Sequence, residues 1–548
     1  MPRRQRLLAL LLAGATLVCS PARPARAGME GHDPSPSPAA GVGPEHAVPL
    51  PAERTPATQQ KNLFACPISG ISVKSLLTPA MGKPVIPPKK KAWEQSVGGE
   101  QAAQPYIQAR LAGWPQHLLT DKSFLPRDDR DFALRVARDT WRGLAAFTDR
   151  ENGLPVDNVR LGKDSVAIAA SHIGDYTSGS NIGLYLMAIA GAQHLQLLSA
   201  REATDRARKI LDTLERLEGY RGFFFNFYDT TSLERTSNFV SLVDSSWLTA
   251  GLMVARMAFP ELRDRFSKLI AGEDFGFFYN PAKRELSHGY YVNPGARSPY
   301  DYGVLYTEAR IGSLIAIGKG DVPEQQWFAM VRTFPPDCTW QTLAPRASRV
   351  KTVRGHHLLG GYAEWKGVRY VPSWGGSMFE ALMPTLVLDE QKYAPRSLGA
   401  NDEAHAVVQR RYALEQLGYP VWGMSPSAAP TGGEYGEYGV KVLGARGYGA
   451  GAVTPHASAL ALGVTPEAAL SNLRALAERY DIYGEYGFYD AVDPLSGAVA
   501  HEYLALDQSM LFVALANYLG ERCISESFAS DPIMQKVLPM IGEEDFFD

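Results

Sequence analysis

Three stretches of this chain repeat one pattern, and that repetition narrows the fold more than any other feature. Gly222-Phe223-Phe224-Phe225-Asn226-Phe227-Tyr228-Asp229, Phe275-Gly276-Phe277-Phe278-Tyr279-Asn280-Pro281 and Tyr486-Gly487-Phe488-Tyr489-Asp490 each gather Phe, Tyr and Asp or Asn before a turn. Each follows an amphipathic helical pattern. Asp131 to Phe147 carries Leu134, Ala137, Trp141 and Leu144 at helical spacing. Ala203 to Glu218 turns Ile210, Leu214 and Leu217 inward and meets Gly219, an expected C′ residue. Ile182 to Leu198, apolar on most faces through Tyr185, Leu186, Ile189 and Ala192, suits a buried inner helix. Thr465-Pro466-Glu467 reads as a helix start with a capping hydroxyl and Pro at N1, and Asp507 to Leu519 is a helix closed by Gly520. Strand signals are few and short, such as Gly367-Val368-Arg369-Tyr370-Val371. A recurring helix–helix–aromatic-loop unit predicts an all-α chain, an α/α toroid of about six helical hairpins with short β pieces in its loops. The loops of one end would line a central cleft.

The chain opens with a basic start, Met1-Pro2-Arg3-Arg4-Gln5-Arg6, then runs apolar from Leu7 to Val18 and offers Ala25-Arg26-Ala27 as a small-x-small exit. Residues 1–27 therefore read as a secretory signal peptide, too short for a membrane span, and predict a periplasmic or secreted protein. Residues 28–103 read as a Pro-rich tether followed by a partly ordered arm. Residues 104–548 are left for the toroid, with no second apolar run of membrane-spanning length. A net charge of −3 without a basic stripe excludes nucleic acid as a partner. After signal cleavage Cys66, Cys338 and Cys523 remain, too few for a disulfide scaffold and consistent with one bridge and a leftover thiol. No spacing of His, Cys or carboxylates suggests a metal, and no nucleotide or flavin fingerprint is present, so no cofactor is expected. His288 and His456 read as isolated, hydrogen-bonded structural residues.

Candidate chemistry centres on Tyr300-Asp301-Tyr302-Gly303-Val304-Leu305-Tyr306-Thr307-Glu308-Ala309-Arg310, an aromatic loop feeding the apolar run Ile311 to Gly318. Charged groups are costly to bury without partners. Glu308 is thus expected at the mouth of a helix-lined cavity, with Arg310 or the aromatic loop beside it; the plain alternative is a helix-entry charge. A cleft rich in Tyr and Trp with scattered carboxylates suits neutral sugars, and glycoside hydrolysis needs one protonated and one ionised carboxyl group. Candidate catalytic residues are Glu308, Asp244, Glu380 and Glu437, with Glu434 as a neighbour in the same Gly-rich loop. Candidate substrate-binding residues are Asp175, Tyr228, Asp229, Tyr300, Asp301, Arg310, Trp374, Tyr489, Asp490 and Asp507. Asp244 also reads as a helix cap, Trp374 as either a sugar platform or core packing, and Glu380 as a carboxylate too costly to bury idle.

Several longer motifs resemble a known family. Leu154-Pro155-Val156-Asp157-Asn158, Thr177-Ser178-Gly179-Ser180-Asn181-Ile182-Gly183-Leu184-Tyr185, Val243-Asp244-Ser245, Glu308-Ala309-Arg310 and Lys319-Gly320-Asp321-Val322-Pro323 are similar to the barrel domain of bacterial cyclic β-1,2-glucan synthases. Ser373-Trp374-Gly375-Gly376-Ser377-Met378-Phe379-Glu380 continues the match. Tyr486-Gly487-Phe488-Tyr489-Asp490 and Leu506-Asp507-Gln508 resemble the glycoamylase-like and endo-β-1,2-glucanase families, and the N-terminal half of the match resembles a bacterial domain of unknown function. The resemblance implies a six-hairpin toroid acting on a bacterial β-glucan or related exopolysaccharide. It places Glu308 at the position of a catalytic carboxylate. The acid/base of the cyclising branch lies in a Trp-Gly-Ile-Ser-Glu-Ser motif, where this chain has Trp422-Gly423-Met424-Ser425-Pro426-Ser427. Proline has no proton to give, which opposes a retaining mechanism and keeps a non-catalytic glycan-binding or polysaccharide-assembly role in view. A polysaccharide lyase using His288 or a nearby Tyr is the weaker third reading.

Overall fold

The computed structural model describes Glu94 and residues 98–162, 170–432 and 435–548. The expected signal peptide and tether, nearly all of the arm, and Glu434 lie outside the described residues. The described residues form helices α1 (Glu100–Arg110), α2 (Asp129–Ala146), α3 (Gly179–His194), α4 (Ala200–Leu214), α5 (Leu242–Ala258), α6 (Arg263–Gly272), α7 (Arg310–Lys319) and α8 (Gln325–Ala329). These are followed by α9 (Met378–Leu382), α10 (Glu390–Tyr393), α11 (Leu398–Arg411), α12 (Pro455–Leu460), α13 (Pro466–Arg479), α14 (Ala505–Leu519), α15 (Cys523–Ala529) and α16 (Pro532–Ile541). No described helix is long and apolar enough to cross a membrane.

Helix starts follow their capping residues. Asp128 accepts from the Arg130 and Asp131 N–H groups ahead of α2, and the Ser178 hydroxyl accepts from Asn181 N–H ahead of α3. Ser199 with Glu202, and Ser377 with Glu380, form capping boxes. Two expectations differ. Thr465 makes no capping bond; its hydroxyl donates to Ala461 O (3.5 Å) while Pro466 still opens α13. Gly219 does not close α4, which ends at Leu214; Gly219–Tyr220 instead pairs with Phe223–Phe224. The reason is the turn: Arg221 and Gly222 both have positive φ (53° and 85°), the backbone of a tight two-residue hairpin.

The same device builds a sheet larger than the sequence suggested. Ala347–Val353 pairs with His356–Trp365 across Arg354-Gly355, and His356–Trp365 pairs with Val368–Tyr370 across Lys366-Gly367. All four turn residues have positive φ. Only the last of these strands was legible in the sequence.

Helix packing divides into two roles. α3 lies against α5 and α14, α5 against α7, and α12 against α14 and α9. Each has a second helix behind it: α4 on α3, α6 on α5, α16 on α7, α11 on α9, α13 on α12 and α2 on α14. Accordingly α3 and α14 are buried over nearly their whole length, whereas α4 buries one face. The α3–α5 crossing is backbone on backbone: a Cβ on Gly251 would stand 2.3 Å from Gly183 O, so only hydrogen fits.

Arg310 joins α7 to α9 and α10. Its guanidinium is wholly buried, pairs with both Glu390 carboxylate oxygens (2.8 and 2.7 Å) and donates to Thr307 O, Glu380 O and Ala381 O. Its cation also stacks on Tyr306, whose hydroxyl donates to Asp402 (2.6 Å). Breaking one side of such a pair leaves an uncompensated buried charge. Arg310→Met is therefore expected to cost about 3–5 kcal/mol, and Arg310→Met combined with Glu390→Met to recover most of it. Chemical denaturation of both variants checks this.

Candidate active site

The starts of α3, α5, α7, α9, α12 and α14 are tied to one another, and each presents a buried polar group there. Asn181 Nδ2 donates to Asp157 Oδ1 (2.9 Å) and Ala505 N–H donates to Asp157 O (2.8 Å), linking α3 to α14. Ser180 Oγ donates to Asp244 Oδ1 (2.8 Å), linking α3 to α5. Tyr302 lies within electrostatic reach of Glu308 and Asp244, and Glu308 within reach of Glu380. Met378 N–H donates to Met424 O and Thr454 N–H to Gly423 O, so α9 and α12 begin on the same extended segment. His456 Nδ1 stands 3.4 Å from Asp507 Oδ2, joining α12 to α14.

Burial sets the protonation of this ring of acids. Glu308 is 2 % exposed, its Oε2 has no hydrogen-bond partner, and burial pushes its carboxyl up to about 7. Arg310 opposes that shift only weakly, because Glu390 already holds its charge. Burial pushes Asp244 up to about 6 against hydrogen bonds from Ser241 and Ser180, and its Oδ2 is unpartnered. Burial and then the neighbouring Glu308 push Glu380 up as well, to about 8. Yet its oxygens accept from Gly375 N–H (2.9 Å), Ser373 Oγ (2.9 Å) and Ser377 N–H (3.2 Å), so Glu380 serves α9 as a cap. Burial raises Asp507, lifts Asp490 to about 7 and Asp157 to about 6, and holds His456 neutral, near 3.

Two tyrosines of the Gly-rich loop stand beside these acids. Tyr435 is within electrostatic reach of Asp507, Asp490, Glu437 and Asp157, and Tyr448 of Glu380, Glu437 and Glu308. The Tyr448 ring rests on Gly375, where a Cβ would stand 2.1 Å from it. Glu437 itself is exposed.

Other expected site residues are occupied elsewhere. Arg310 is consumed by its buried pair and cannot reach a sugar. The Tyr228 hydroxyl donates to Glu218 O and accepts from Phe225 N–H (2.7 Å). Asp229 caps its turn through the Thr231 and Ser232 N–H groups (2.8 and 2.7 Å). Tyr489 donates to Leu118 O (2.6 Å), and Asp301 pairs with Lys283. Trp374 packs against Trp340 (6.0 Å between ring centres) in a small cluster with Phe334 and Cys338. Asp175 is buried with one unpartnered oxygen, and Tyr300 is half-buried beside His288, which stacks on Tyr302 (4.1 Å). Cys338 is disulfide-bonded and Cys523 is the free thiol. Asp157, Tyr302, Tyr435, Tyr448 and His456 were not anticipated; for His456 the available signal was its place just after the helix start Thr454-Pro455. A cavity of about 210 Å³ lies at the opposite ends of α12 and α14, lined in part by Leu386, Gly463, Asn517 and Arg522. Asn517 donates to Leu386 O (2.8 Å), and Arg522 donates to Gly463 O and pairs with Asp389; none of the candidate acids lines this cavity.

A family model described as "Putative glucoamylase" matches residues 299–532. The match takes in the loop bearing Glu308 and runs through Asp507. A second family model, a domain of unknown function, matches residues 135–272. The chain is 26% identical over 560 aligned positions to the cyclic β-(1,2)-glucan synthase of Rhizobium meliloti, covering 75% of this chain and 18% of that protein. It is 22% identical to the exo β-1,2-glucooligosaccharide sophorohydrolase of Parabacteroides distasonis, covering 76% of this chain and 58% of that protein. The chain thus spans less than two thirds of either relative. In structure it resembles the endo-β-1,2-glucanase of Chitinophaga pinensis (TM-score 0.58, 18% identity, 76% of this chain and 99% of the other). It also resembles a mutant endo-β-1,2-glucanase of Talaromyces funiculosus in complex with β-1,2-glucan (TM-score 0.61, 11% identity, 77% and 91%).

Carboxyl groups raised by folding stabilise the fold in their protonated form. That contribution is complete below their unfolded pKa values near 4 and is lost as pH rises through about 6 to 8. The melting temperature is therefore expected to fall between about pH 5 and pH 8. Glu308→Gln is expected to flatten the slope by roughly one proton, measured by calorimetry across that range.

Proposed function

We propose that this protein is an exported glycoside hydrolase that cleaves β-1,2-linked glucan with inversion, Glu308 acting as general acid and Asp244 as the base that activates water. The observation that carries the reading is Glu308 itself: a buried carboxyl with a free oxygen, raised to about 7 and so partly protonated at neutral pH. Asp244, raised only to about 6 and keeping Oδ2 free, supplies the ionised partner. Two environments that push two carboxyls apart are the requirement of acid–base glycoside cleavage. Pro426 occupies the position that the resemblance gives to the acid/base of the retaining branch, which favours inversion. The substrate class follows from the named activities of the relatives.

The remaining readings complete the picture. Six inner helices, each backed by an outer one, support a six-hairpin α/α toroid over residues 104–548, and residues 1–27 support export. Glu308→Gln is expected to lower reducing-end release from linear β-1,2-glucan by roughly 10²–10⁴-fold with folding intact, and Asp244→Asn to do likewise. Activity would fall as pH rises through about 7 and again as it drops through about 6, a bell centred between them. Full turnover by Glu308→Gln overturns the assignment. Pro426 also favours a second reading, a non-catalytic glycan-binding protein; glucan binding without any Glu308-dependent release would establish it.

A further inference from the structure

His456, Asp490 and Asp507 come from three separate segments, the first turn of α12, the loop after Gly487–Phe488 and the first turn of α14. Each offers one ligand atom, and these atoms lie within 4.8 Å of one another. All three residues are 1–2 % exposed. Both oxygens of Asp507, Oδ1 of Asp490 and Nδ1 of His456 have no hydrogen-bond partner. Buried polar atoms are almost always satisfied, so orphaned atoms on three residues brought this close require an account. Two carboxylates side by side in an apolar surround repel, and an imidazole whose lone pair faces them donates nothing.

We propose that His456, Asp490 and Asp507 form a binding site for a divalent transition-metal ion. A single cation would satisfy the four orphaned atoms together and neutralise the like charges. The surrounding bonds already orient the ligands. His456 Nε2 faces Thr454 Oγ1 at 3.4 Å; with the ring proton on Nε2 donated to that oxygen, Nδ1 presents its lone pair toward Asp507. Ala428 N–H donates to Asp490 Oδ2 (2.7 Å), fixing that carboxylate while Oδ1 stays without a partner. One imidazole with two carboxylates selects a zinc- or manganese-like ion over calcium or magnesium, which favour all-oxygen sites. The ion would clamp α12 and α14 to the segment bearing Asp490. Glu308 and Asp244 take no part, so the site stands independently of the glycosidase reading.

The test is metal binding, with hydrolysis playing no part. The full chain is stripped with chelator and titrated with Co²⁺ and Zn²⁺. The expected result is one equivalent bound by calorimetry, visible d–d absorption with Co²⁺, and a higher melting temperature with Zn²⁺. Asp507→Asn and His456→Gln are expected to weaken binding at least about tenfold, while Glu308→Gln binds as the parent does. No heat and no visible band with the unmodified chain would overturn the proposal and leave a proton shared between Asp490 and Asp507. Unchanged affinity in both ligand variants would overturn it equally, by placing the ion elsewhere.

Discussion

The buried pair of Arg310 with Glu390 is the interaction on which the arrangement of acids rests. Arg310 sits two residues after Glu308, and its guanidinium is spent on Glu390 and on the carbonyls of Thr307, Glu380 and Ala381. It therefore holds the backbone around Glu308 while giving that carboxylate little neutralisation. A strong cation so close would ordinarily keep a glutamate ionised. Because Glu390 takes that charge instead, burial wins and Glu308 is lifted. One ion pair thus fixes the geometry of a neighbouring acid and leaves its proton affinity to the surrounding apolar packing.

The same logic runs around the helix starts. Asp157, Asp244 and Glu380 each accept from donors of a neighbouring segment, so buried carboxylates stitch the elements together. Residues whose oxygens are filled, Glu380 above all, act as pins. Others, Glu308, Asp244, Asp490 and Asp507, keep at least one oxygen without a hydrogen-bond partner.

How legible all this was depended on the range of the signal. Helices with local periodicity and caps, such as α2, α3 and α14, were read within a few residues because propensity and packing agree there. The hairpin turns Arg221-Gly222, Arg354-Gly355 and Lys366-Gly367 were missed because a basic residue before glycine does not announce a left-handed backbone as Asn or Asp would. Glu308 could be placed from its helix-entry context. The fate of Arg310 could not, because Glu390 lies 80 residues on. Tyr228, Asp229 and Tyr489 looked like cleft groups by composition, yet backbone partners too distant or too conformation-dependent to foresee consume them. His456 looked solitary for the same reason, since Asp490 and Asp507 meet it only in three dimensions.

The helix starts that carry the acids make one pole of the protein, and the far ends of α12 and α14 make a chemically different one. At the first, converging N–H groups offset the accumulated carboxylates. At the second, Asn517 and Arg522 donate to the carbonyls of Leu386 and Gly463 beside the 210 Å³ cavity. Arg522 reaches them from a left-handed backbone (φ 64°). The second pole, its named carbonyls already answered by the chain's own donors, holds none of the acids that mark the first.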